Sequence, residues 1–334
     1  MNPASYIPLV MLYKKMMQSQ AGQTPAATSA QTPPCYSQTY CLPEKILCGF
    51  WFGWSPRVPL ANVPSQYNLI CVAFLEPDGT GIPIFRPIDQ NDVINGVKAL
   101  KAAGKTVIVS IGGANDDVYI TQSNKARFRD ELMATIDKYG FMGVDLDLEG
   151  ASVTAGANQT VIPEVLRELK DYYRSIGQPF VITLAPEFNL LRGANAPYKP
   201  IIQNLEGYYD LILSQFYNQG ADGIWDASLN MYLSQNDNSH KKEFLYALTH
   251  AIVTGTSDYL YIPSNKFLIG LPASTTAALN GYVQNASDVE WAMRALAAEG
   301  NPIRGLMTWS INQDSVNGYQ FMNRYAPIIE RYAV

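Results

Sequence analysis

Eight short, mostly apolar runs recur along the chain: Ile46 to Phe52, Leu69 to Leu75, Thr106 to Ile111, Met142 to Leu148, Phe180 to Ala185, Leu211 to Tyr217, Phe267 to Leu271 and Leu306 to Ile311. Continuous apolar runs of this length suit strands that are buried on both faces. Helix-like segments lie between most of them, at Asp92 to Ala103, Lys125 to Tyr139, Ile162 to Ile176, Lys242 to Thr254 and Asp288 to Glu299, with a closing one at Gln320 to Ala333. The alternation predicts an α/β fold, a closed (β/α)8 TIM barrel of about 250 residues. A chain of 334 residues has room for that barrel and an N-terminal extension. Residues 1–41 read as extension and linker, because Ala21 to Pro34 is too weakly hydrophobic to pack. Residues 42–334 read as the barrel. Before the linker, Tyr6 to Gln18 has the pattern of a short amphipathic helix.

The fourth run departs from the others. In Gly143-Val144-Asp145-Leu146-Asp147-Leu148-Glu149 three carboxylates alternate with apolar residues, so in a strand all three point to one face. Neighbouring acids then sit roughly 6.6 Å apart, from about 3.3 Å of rise per residue, and resist ionising together. One of them can hold a proton near neutral pH. Three like charges in a barrel lumen carry a burial cost that function would have to offset. Barrel active sites lie at the C-terminal ends of the strands, and polar residues collect there: Ser110, Gly112 and Gly113 after strand three, Glu187 after strand five, Gln215 to Asn218 after strand six, and Thr308 to Ser310 after strand eight.

Composition narrows the partners. A net charge of -5 and a pI near 5.1 argue against nucleic acid and against an anionic membrane surface. No run approaches the roughly 18 apolar residues of a membrane helix. The two histidines, His240 and His250, form no metal-ligand pattern, so neither a metal nor another cofactor is expected. Cys48 and Cys71 lie in apolar strands and read as buried thiols, whereas Cys35 and Cys41 bracket a short polar segment that could close as a disulfide. The stretch Tyr6 to Leu12 is short and followed by Lys14 and Lys15, the reverse of a secretory signal. Asn158 and Asn285 head Asn-x-Ser/Thr sequences.

The strand-four pattern, the Ser110-Ile111-Gly112-Gly113 segment, the run Gln215-Phe216-Tyr217-Asn218 and the segment Met307 to Asn312 occur in the order found in glycoside hydrolase family 18 chitinases, which this chain resembles from Ile46 to about Ala333. The resemblance implies that Glu149 is the general acid and base. The substrate's own acetamido carbonyl would attack the anomeric carbon, a departure from the two-carboxylate scheme. It further implies that Asp147 steadies the acetamido group and raises the proton affinity of Glu149, with Asp145 behind it. Tyr217 would donate to the acetamido oxygen, Trp309 would form the floor under the cleavage-site sugar, and Gln215, Asn218 and Glu187 would contact the sugars. Ser110, Gly112 and Gly113 would be structural, supporting Asp145 and close strand packing. Trp51, Trp54 and Trp225, at or after strand ends, are candidate stacking platforms, and Trp291 reads as packing.

The expected ligand is chitin or an N-acetylglucosamine oligosaccharide. The short link from Leu271 to Asp288 leaves no room for an inserted α+β domain, which implies an open groove and endo-type cleavage. Two other readings stand beside the chitinase: an endo-β-N-acetylglucosaminidase, and a sugar-binding or assembly protein without catalysis. The extension suggests docking into a larger secreted complex, with an extracellular site of action. The chain also departs from the family pattern, with Met142 where that pattern begins with Asp. Activity is expected to persist with an altered pH dependence, so a Met142→Asp variant should give a pH–rate curve displaced from the parent's; coincident curves would refute this.

Overall fold

The computed structural model describes residues 35–37, 40–114 and 117–334. Eight parallel strands form its centre: β1 (Ile46–Phe52), β2 (Leu69–Pro77), β3 (Thr106–Gly113), β4 (Gly143–Leu148), β5 (Val181–Leu184), β6 (Leu211–Gln215), β7 (Phe267–Pro272) and β8 (Gly305–Trp309). Each pairs with the next, and β8 pairs with β1, so the sheet closes as a TIM barrel. Helices α1 (Gln90–Ala102), α2 (Lys125–Tyr139), α3 (Asn158–Ser175), α4 (Lys199–Asn204), α5 (Lys241–Thr254), α6 (Ala286–Ala298), α7 (Ile311–Val316) and α8 (Gln320–Tyr332) follow the strands from β2 onward. The link between β1 and β2 carries a 3-10 turn at Leu60–Asn62.

The period of two along each strand divides the apolar residues into two layers. Ile46, Cys48, Phe50 and Phe52 of β1 join Leu69, Cys71, Ile108, Leu213, Leu268 and Met307 in the barrel lumen. Leu47 and Trp51, together with Val144, Leu146 and Leu148 of β4, face the helices. Asp145 and Asp147 therefore project into the lumen in successive layers above the apolar floor. Cys48 and Cys71 are free and buried there, with their sulfurs 3.8 Å apart, while Cys41 is disulfide-bonded.

Several boundaries differ from the sequence reading for local reasons. Helix α3 begins at Asn158 rather than Ile162 even though Pro163 lies inside it. Proline removes the hydrogen bond to the carbonyl four residues back, and that carbonyl, Gln159 O, accepts instead from Asn204 Nδ2 at 3.0 Å. β8 stops at Trp309 because the Ser310 hydroxyl accepts from Gln313 N and caps α7. The sequence reading missed a hairpin after β6, Gly223–Asp226 paired with Met231–Ser234. The expected helix at Tyr6 to Gln18 and the linker at Ala21 to Pro34 lie outside the described residues. The link from Pro272 to Ala286 is short, as expected, and holds no inserted domain.

Asn158 is wholly buried: its Oδ1 accepts from Ile120 N, and its Nδ2 donates to Val118 O and Ser152 O, all at 2.7 Å. In the folded protein this asparagine is closed to glycosylation, whereas Asn285 is exposed. Asn158→Ala strands three backbone groups, and about 2–4 kcal/mol of stability should be lost; a urea midpoint equal to the parent's would contradict this.

Candidate active site

Register builds the site around Asp145. Across the two ladders Ser110 of β3 and Thr183 of β5 sit directly beside it. The Ser110 hydroxyl donates to Asp145 Oδ2 at 2.7 Å and the Thr183 hydroxyl to Oδ1 at 2.6 Å, so both oxygens of this wholly buried carboxylate are bonded. Met142, also buried, holds β4 in place through its backbone, donating to Val107 O and accepting from Val181 N. With two hydroxyl partners, Asp145 is not left unpaired although Met142 stands where the family pattern has Asp.

Asp147 lies one layer higher, opposite Gly112. Gly112 adopts φ +108°, and a Cβ there would fall 2.3 Å from Asp147 O, so glycine permits the close approach of β3 and β4. Gln215, ending β6, turns its Nε2 to Asp147 Oδ1 at 2.8 Å, Ala185 O at 3.0 Å and Glu149 Oε1 at 3.2 Å. Glu149 follows β4 in extended conformation and is partly exposed. Behind it, the Tyr198 hydroxyl accepts from Leu148 N at 2.9 Å and donates to Leu148 O at 2.8 Å, which fixes the peptide that carries the acid.

Burial raises the proton affinity of all three acids. Asp145 rises to about 6, with the Thr183 and Ser110 hydrogen bonds pulling the other way. Asp147 is pushed far above the usual carboxylate range by burial and then by the charges of Glu149, Asp145 and Glu187. Glu149 also rises through burial, against hydrogen bonds from Gln215 and Asp147. Protons are thus retained in this ladder towards neutral pH. Burial, reinforced by the Asp147 charge, keeps the Tyr217 phenol protonated and able to donate.

Above the acids opens a cavity of about 310 Å³. Asp147, Glu149, Gln215, Tyr217, Asn218, Trp54 and Trp309 line it, as do Phe74, Glu76, Gly113 and Ala114. Trp309 stacks on Phe74 at 5.8 Å, and Trp54 lies flat on Phe52 at 4.3 Å, so one wall is a sheet of aromatic rings. Gly281 (φ +92°) packs its backbone against Tyr217, where a Cβ would come within 2.6 Å of Tyr217 Cα. Asn218, itself at φ 61°, accepts from Leu279 N at 2.9 Å and ties the loop after β7 to the same wall.

Not every residue singled out from sequence joins this cavity. Trp225 projects from the hairpin after β6, 55% exposed and outside the lining residues. Trp51 is buried with its Nε1 donating to Val58 O at 2.8 Å, which removes it as a platform. Glu187 accepts from Gln219 Nε2 at 2.6 Å beside the cavity rather than in it. Trp291 packs edge-on against Tyr246, as expected.

Phe74 and Glu76 escaped the sequence reading because β2 contains a register shift between Val72 and Leu75. Ala73 and Phe74 both turn inward, Leu75 turns outward, and Glu76 returns to the cavity. A strict period of two would have turned Phe74 and Glu76 away. Tyr198 left no signal in a loop sequence.

The raised proton affinity of Asp145 fixes the sign of a stability effect. Between its ordinary value of 3.8 and about 6 the native state holds a proton that the unfolded chain has lost, so stability falls as pH rises. At about 1.4 kcal/mol for each pH unit, the penalty reaches roughly 3 kcal/mol above that window. Asp145→Asn should therefore flatten the pH dependence of the thermal midpoint across this range; a slope equal to the parent's would contradict the assignment.

Residues 46–292 match the family model described as glycosyl hydrolases family 18. The chain is 40% identical over 301 residues to a chitinase of Enterococcus faecalis, an alignment covering 85% of this chain and 86% of that protein. It is 30% identical to chitinase D of Niallia circulans, covering 86% of this chain and 62% of that longer protein. Among solved structures, a family GH18 chitinase from Chromobacterium violaceum superposes with a TM-score of 0.75 at 25% identity, over 92% of this chain and 87% of that one. Its barrel, its carboxylate ladder and a family match across most of its length place this chain in glycosyl hydrolases family 18.

Proposed function

We propose that this protein is an endo-acting chitinase that hydrolyses β-1,4 bonds between N-acetylglucosamine units with retention of configuration. The observation that carries the reading is the position of Glu149, the partly exposed end of a buried carboxylate ladder at the mouth of an aromatic-walled cavity. A retaining enzyme of the two-carboxylate kind needs a second carboxylate about 5–5.5 Å away across the scissile bond, and family 18 is an exception because the substrate supplies the nucleophile. Asp147, held by Gln215, is a partner for the substrate's acetamido N–H rather than an attacking group.

In the reaction Glu149 gives its proton to the glycosidic oxygen as the acetamido carbonyl oxygen attacks the anomeric carbon. The bond to the leaving sugar breaks and a cyclic oxazolinium forms. Asp147 orients the acetamido group and balances its developing positive charge, while Tyr217 donates to the acetamido oxygen. Glu149, now ionised, takes a proton from water, which opens the ring and regenerates the acid. Trp309 stacks beneath the sugar that is cleaved. Endo action rests on the short link after β7, which leaves the groove unroofed on that side. The polymer is insoluble, so we place the activity outside the cell, with residues 1–41 available for docking to other secreted proteins.

Hydrolysis of a fluorogenic chitotrioside by the parent and by Glu149→Gln tests the reading. The substitution should cost on the order of 10²-fold or more in kcat with the fold intact. A parent that binds short chitin oligomers and cleaves none would identify a sugar-binding scaffold instead.

A further inference from the structure

A second cavity, of about 160 Å³, adjoins the first. Trp54, Phe74 and Glu76 line both, so the two form one groove divided at these side chains. The aromatic faces offer stacking surface for a pyranose ring. Glu76 is exposed at the end of β2 and, among the described residues, has no cation paired with it. Arg57, on the far wall, is already engaged by Asp89 at 2.8 Å and Asp92 at 3.4 Å. Arg86 also lines the second cavity but forms no ion pair with Glu76. The junction therefore presents an exposed carboxylate that forms no ion pair among the described residues, beside two aromatic rings, in a protein of net charge -5.

The ligand that complements such a junction has an apolar ring face with a positive charge at its edge. An N-acetylated sugar is neutral there and leaves the carboxylate unpaired; a 2-amino-2-deoxy sugar with a free amine supplies an ammonium. The sugar at the cleavage site must keep its acetyl group, because that carbonyl is the nucleophile, so a free amine can be accommodated only beyond it. We propose that Glu76 makes the junction a binding position for a de-N-acetylated glucosamine unit, so that the protein selects partially deacetylated chitin over the fully acetylated polymer. The inference rests on the chitinase reading and deepens it.

A set of chitopentaoses, each with one free amine at a defined ring, together with the fully acetylated pentasaccharide, tests the proposal. One isomer should be cleaved with a kcat/KM about two- to fivefold above that of the acetylated compound, the range an exposed ion pair supplies. This ratio should fall as salt screens the pair and approach one in Glu76→Gln. A parent that cleaves the acetylated compound as fast as every isomer, or a ratio that survives in Glu76→Gln, would overturn the inference. Failure of the parent to cleave even the acetylated compound is a separate result, which overturns the chitinase reading itself.

Discussion

The site depends on the burial of a carboxylate in a barrel lumen that, among the described residues, offers it no cation. Asp145 is wholly enclosed, and what holds it there is the parallel register that sets one hydroxyl on each side of it, Ser110 on β3 and Thr183 on β5. An ionised group without such donors would not tolerate the low-dielectric interior. A slip of one residue in either ladder would take a hydroxyl away and turn the acids towards the helices. The closed sheet guards against such a slip, because every strand is registered against two neighbours. Catalytic geometry here is therefore a property of the whole barrel, and the apolar floor of Leu69, Leu213, Leu268 and Met307 is part of it.

Above that anchor the charges are graded by exposure. Asp145 is bonded by hydroxyls, Asp147 by the Gln215 amide, and Glu149 shares that amide while partly open to the cavity. Burial and then charge repulsion from its neighbours act in the same direction on Asp147, raising its proton affinity. Gln215 donates to both Asp147 and Glu149 and so favours the ionised form of each, against the effect of burial. Tyr198 acts from behind by fixing the Leu148 peptide, which limits the swing of the acid that faces the ligand.

The fold was legible because buried parallel strands must be continuously apolar, and all eight runs sit where strands form. The acids were legible because charge on an otherwise apolar strand has few structural explanations. What escaped was set by geometry that local pattern does not carry. The irregularity in β2 turns Phe74 and Glu76 into the cavity by shifting the strand's parity, and nothing in the run Leu69 to Leu75 marks it. Asn158 heads an Asn-x-Ser/Thr sequence, and nothing local shows that three backbone groups from two loops converge on it. Trp225 failed as a cavity residue for the opposite reason: its position after a strand was read correctly, but the chain leaves the barrel there in a hairpin.

These features together give the groove two electrostatic regimes. Around Glu149 the carboxylates are enclosed and hold their protons more tightly than free carboxylates do, in a region where the aromatic wall excludes water and lowers the local dielectric. At the junction of the two cavities Glu76 stands in solvent, where a charge is cheap to keep and an ion pair adds little to affinity. An exposed carboxylate there is absent from the causes that raise Asp147 and Glu149, since solvent screens its field. The bulge in β2 thus places a weak, readily replaced recognition group beside a rigid catalytic one. Preference between neighbouring sugars can then change at position 76 without altering the proton balance that cleavage requires.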